Sequence, residues 1–124
     1  MHAMKTLAKA LLLVLPFVTI TLGIDDLAAM PFKDYVQFNS VDRESLNIYI
    51  NGVGTGFSWA NAMLNEPGSP KLYCQPPNLS LGTNNYVAIL ESQIIELKKA
   101  GILKEDTPIE LILLLGLKKT FPCK

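Results

Sequence analysis

The sequence predicts an all-α, small single-domain bundle of about four helices, held by one disulfide and preceded by a cleaved signal peptide. Three observations carry that expectation. Apolar residues recur at three- and four-residue steps from Leu46 onward, the period of a buried helix face. Thr107-Pro108-Ile109-Glu110 is a helix start, with threonine to cap, proline at the first helical position and glutamate to complete a capping box. Cys74 and Cys123, the only two cysteines, stand downstream of an N-terminus that reads as an export signal.

In that signal, Lys5 and Lys9 precede an apolar run from Ala10 to Leu22, interrupted by Pro16, Thr19 and Thr21. Thr21-Leu22-Gly23 puts small residues where a signal peptidase reads, so cleavage is expected after Gly23, with Ala28 or Ala29 as alternatives. A retained membrane anchor is the competing reading. The run is shorter than the ~20 residues a spanning helix needs, and Pro16 falls inside it. The chain therefore divides into a signal, residues 1–23, and a domain, residues 24–124, with export as its destination and no membrane association after cleavage.

A domain of about 100 residues supports one core and not two. Taking Lys5 and Lys9 from the 11 basic residues leaves 9 against 11 acidic, a net charge near −2. No basic patch points to nucleic acid or anionic lipid. In an oxidising compartment the two cysteines pair, and closing a loop of ~50 residues stabilises the fold by about 4 kcal/mol in the chain-entropy model.

Residues 24–39 are mixed and predict a short helix or an extended lead-in. The first long helix follows, with Leu46, Tyr49, Ile50, Val53, Phe57, Ala60 and Leu64 on one face and Ser40 or Asp42 as its cap. Gly52, Gly54 and Gly56 fall inside this pattern. No β-branched strand precedes them and no Lys-Ser/Thr follows, which excludes a phosphate-cradling loop and favours close approach of another helix. The helix stops at Glu66-Pro67-Gly68-Ser69-Pro70. A second helix is expected from about Asn85 to Ala100, with a cap from Gly82-Thr83-Asn84, Val87, Leu90, Ile94 and Leu97 inward, and Gly101 as C-cap. The third runs from Pro108 to about Thr120. Its Leu111 to Leu117 segment is apolar all round, which predicts burial on several sides and a homodimer to complete it.

Residues 24–124 contain no histidine, which removes the commonest general base, the commonest metal ligand and every Ser-His or Cys-His nucleophile. Disulfide pairing removes thiolate chemistry as well. Glu105-Asp106 and Asp25-Asp26 are adjacent carboxylates without metal-site spacing, and they read as solvated surface charge. No enzyme activity, cofactor or metal is expected. Trp59, Tyr73 and Tyr86 read as core packing rather than interface anchors. Exposed loops are the better sites for partner contact, and Lys104, Glu105, Asp106, Glu66 and Ser69 are the candidate partner-binding residues.

Three segments carry a family resemblance: Tyr49-Ile50-Asn51-Gly52-Val53, Leu72-Tyr73-Cys74-Gln75-Pro76 and Leu117-Lys118-Lys119-Thr120-Phe121-Pro122-Cys123. Their order behind an export signal resembles the Rap/Tai family of immunity proteins, over roughly residues 45–123. The resemblance implies a periplasmic, helical, often dimeric protein that occludes the active-site groove of a type VI secretion amidase effector, an enzyme that cuts peptidoglycan peptide stems. It also implies that Cys74 and Cys123 are structural. No further cysteine lies near the start of the first long helix, so a second disulfide is absent. No inhibitory motif is matched residue by residue, and the Leu103 to Thr107 loop is chosen from position and charge. The alternative is a small acid-stress chaperone of the HdeA type, against which the acidic residues are few and unclustered. A carboxylate-dependent hydrolase is the third reading.

Overall fold

The computed structural model describes residues 29–64 and 67–124. The signal-peptide assignment, Asp25-Asp26 and Glu66 lie outside the described residues. Four helices follow one another: α1 (Phe32–Val41), α2 (Arg43–Met63), α3 (Thr83–Lys99) and α4 (Ile109–Thr120). Among the described residues there is no strand, and the all-α expectation holds.

The mixed lead-in becomes α1, whose first free amides are capped by other chain segments rather than by a side chain. Phe32 donates to the Thr107 carbonyl at 2.8 Å and Lys33 to the Glu105 carbonyl at 2.9 Å. Asp42 separates α1 from α2 and caps the latter, its carboxylate accepting from Ser45 N–H at 3.1 Å. This bond holds the Asp42 carboxyl below the usual carboxylate range.

Along α2 the buried positions are Leu46, Ile50, Gly54 and Asn61. Of the predicted face, Ala60 is exposed and Tyr49 partly so, because the stripe advances mostly by four rather than alternating three and four. Trp59 corrects the core expectation. It is 71 % exposed, two residues and therefore about 200° round the helix from both Phe57 and Asn61. Tyr73 and Tyr86 are buried as expected.

Gly54 alone of the three α2 glycines meets a neighbour. A Cβ there would sit 2.5 Å from the Tyr86 ring, whereas Gly52 and Gly56 face open space. Gly54 opposite Tyr86 and Arg43 opposite Glu91 show α2 and α3 running past each other in opposite directions. At the end of α3, Gly101 has φ +70°, with its N–H on the Lys98 carbonyl and the Ile102 N–H on the Leu97 carbonyl. This is the Schellman arrangement that the glycine predicted.

The core gathers on α4. Ile109, Ile112, Leu113 and Leu117 are at most 2 % exposed and meet Leu46 and Ile50 of α2 and Leu90 and Ile94 of α3. Leu111 and Leu115 remain exposed, so the helix is buried over one broad face and not all round. Among the described residues, α2 and α3 are the helices that pack substantially against it, and Leu111 and Leu115 lie on its other side.

The start of α4 differs from the predicted capping box. Pro108, with ψ 130°, is the N-cap, and no side chain caps the helix. Thr107 Oγ1 accepts from Lys104 N–H instead, and Glu110 turns toward the α1 lead-in and α2. The reason is tertiary. The Ile109 N–H is already bonded to the Met30 carbonyl at 2.9 Å, across an antiparallel bridge between Pro31 and Pro108.

Candidate functional site

Two ends of the bundle hold the residues that the sequence singled out. At one end, Cys74 and Cys123 are bonded, Cys74 N–H donates to the Phe121 carbonyl at 2.8 Å, and the rings of Tyr73 and Phe121 lie 6.4 Å apart. Two of the three resemblance segments therefore meet here. The third contributes Tyr49, whose hydroxyl donates to Glu110 Oε1, and Ile50, which is buried.

At the other end of α4, Lys104, Glu105 and Asp106 form an exposed turn. It is closed by Thr107 N–H to the Lys104 carbonyl at 3.2 Å and by Lys104 N–H to Thr107 Oγ1 at 3.2 Å. The carbonyls of Glu105 and Thr107 are held by the α1 amides, so the backbone is fixed while the three charged side chains face solvent. Ser69 is exposed on the α2–α3 connection, five residues before Cys74. The two loops are thus anchored at opposite ends of α4, about 18 Å apart along its axis.

Sequence reasoning missed the polar posts that set this geometry. Glu110 Oε1 accepts from Met30 N–H at 2.9 Å as well as from Tyr49, joining the lead-in, α2 and α4 at one carboxylate. Burial, followed by the bond to Glu110, pushes the Tyr49 phenol up to about 12. Asn61 is buried on the apolar stripe of α2, where an amide at a core position was the available signal. The exposed ion pairs, Arg43–Glu91 at 3.4 Å and Lys119–Glu96 at 3.0 Å, contribute little to stability. The bond from Lys119 nevertheless lowers the Glu96 carboxyl.

Among the grooves in the described surface, two involve residues of α3. One lies between α1 and α3, floored by Tyr35 and Ile94, with the Lys98 ammonium 5.3 Å above the Phe32 ring. The other lies beside Trp59. Among the described residues, no three His, Cys, Asp or Glu side chains are grouped to hold a metal, and no helix is long and apolar enough to cross a membrane. No family model matches this chain, and comparison with curated proteins and solved structures finds no match either.

Proposed function

We propose that the protein is a periplasmic immunity protein, exported through a cleaved signal, that binds a type VI secretion amidase effector and occludes its active-site groove. It performs no chemistry of its own. The observation that carries this reading is the Lys104–Asp106 turn, whose backbone is tied to itself and to α1 while its side chains are exposed. A tip of that kind enters a groove with little further loss of backbone freedom on binding. The resemblance of the Tyr49, Cys74 and Cys123 segments to the Rap/Tai family supplies the partner class. Leu111 and Leu115, exposed one turn apart on α4, supply an apolar surface for the proposed homodimer.

The test is titration calorimetry of the oxidised mature protein against purified type VI amidases. Nanomolar, stoichiometric binding that abolishes muropeptide cleavage is expected, with Glu105→Lys/Asp106→Lys weakening it about tenfold or more. No binding to any amidase, together with suppression of client aggregation near pH ~2–3, would assign the acid-chaperone class instead. Sedimentation of the wild type and of Leu111→Gln/Leu115→Gln tests the dimer.

A further inference from the structure

A groove of about 360 Å³ separates the outer side of α2 from the Gln75–Leu81 segment. That volume lies within the range of small-ligand sites. Trp59, the only tryptophan in the chain, forms one wall and exposes most of its ring. Thr55, Ser58, Gln75, Asn78 and Ser80 line much of the rest with hydroxyl and amide groups, and among the described residues no lining side chain is charged.

The facing wall is stiff. Its first residue follows disulfide-bonded Cys74, Pro76 and Pro77 fix two φ angles, and Leu79 N–H donates to the Pro76 carbonyl at 3.1 Å. The Gln75 amide closes the same turn by donating to the Leu79 carbonyl. Beneath the groove, burial pushes the phenols of both Tyr73 and Tyr86 up. The Tyr73 hydroxyl is inaccessible and reaches no partner at hydrogen-bonding geometry among the described residues.

These features select a ligand class. A carboxylate or phosphate would lose its hydration without gaining a counter-charge, since among the described residues the lining holds no lysine or arginine. A polyproline segment docks between several aromatic faces, whereas Tyr86 is buried and Trp59 alone presents one. A flat ring with one apolar face and a rim of hydroxyls matches an aromatic plate bordered by neutral donors and acceptors.

We infer that this groove binds an uncharged pyranose sugar, its ring stacked on Trp59 and its hydroxyls bonded to Thr55, Asn78 and Ser80. The site is separate from the amidase reading, and failure of amidase binding leaves it unaffected. The test follows Trp59 fluorescence of the oxidised protein during titration with triacetylchitotriose, maltotriose and cellotriose. At least one should give a saturable change, and a galacturonate trimer should bind no more tightly. Calorimetry on Trp59→Ala should show about a tenfold or greater loss of affinity, the size expected when a large stacking face is removed. Asn78→Ala, in the exposed turn, gives a second variant should the first fail to fold. No saturable response to any neutral trisaccharide, or unchanged affinity in a folded variant, would overturn the assignment.

Discussion

Asn61 holds Tyr73 by both of its backbone polar groups. The Asn61 amide nitrogen donates to the Tyr73 carbonyl at 2.8 Å, and its oxygen accepts the Tyr73 N–H at 3.3 Å and the Leu72 N–H at 2.7 Å. One side chain near the end of α2 thus does for the Leu72–Tyr73 segment what a neighbouring strand would do. Replacing it with leucine, similar in size, leaves buried backbone groups unpaired. Asn61→Leu should cost about 2–4 kcal/mol, read from urea denaturation midpoints with an unchanged slope.

The α2 glycines should separate by sign. Gly54→Ala drives a methyl into the Tyr86 ring and should destabilise by about 1–3 kcal/mol. Gly52→Ala and Gly56→Ala meet nothing and occupy helical backbone, so each should stabilise by roughly 0.5–1 kcal/mol. Thermal melts of the three single variants decide the matter, and a loss of stability at Gly52 or Gly56 would contradict the packing described.

Reduction of the Cys74–Cys123 bond reopens a loop spanning 49 residues of sequence separation. About 4 kcal/mol should be lost in the chain-entropy model. Denaturation with and without reductant, and of the Cys74→Ser/Cys123→Ser double variant, measures it. The two should agree to within about 1 kcal/mol if the bond acts on the unfolded chain.

Stability should fall at both extremes of pH, through different residues. Tyr49 has its folded pKa raised above the ordinary phenol value, so its contribution is complete below pH ~10 and is lost as pH rises from there toward 12. Tyr49→Phe should reduce that alkaline limb in part, since burial raises Tyr35, Tyr73 and Tyr86 as well, and, because the Tyr49 phenol is partly exposed, cost only about 1 kcal/mol at neutral pH. Asp42 and Glu96 are shifted downward, so their contributions are present above the ordinary carboxylate range and disappear as pH falls through it. Asp42→Ala should weaken the acid dependence. The check is a series of denaturation midpoints across pH for each variant.

Helix ends whose chemistry is local were legible in the sequence. Asp42 caps α2 through an amide three residues away, and Gly101 ends α3 through its own backbone angle. Glu110 was misread for the opposite reason. Its spacing from Thr107 fits a capping box, but its Oε1 accepts from Met30 and Tyr49, which lie 80 and 61 residues away in sequence, and its Oε2 reaches no partner among the described residues. Trp59 was misread because average burial says nothing of helical phase, and its neighbour at Asn61 holds the inward position. Of the candidate partner residues, position and charge pointed to Lys104, Glu105 and Asp106, which are exposed. That their backbone caps α1 depends on a pairing between distant segments, which no local pattern encodes.

That cap gives the amides of α1 a second role. The helix fully buries Tyr35 and half-buries Phe32 against the core, so modest apolar contact fastens it. It is fastened by Met30, Phe32 and Lys33 through their bonds to Glu110, Ile109, Thr107 and Glu105. Opening the turn and releasing α1 are then one cooperative event, with a free energy below that of global unfolding. A partner that clamps the turn would slow hydrogen exchange at Phe32 and Lys33, residues that it need never touch.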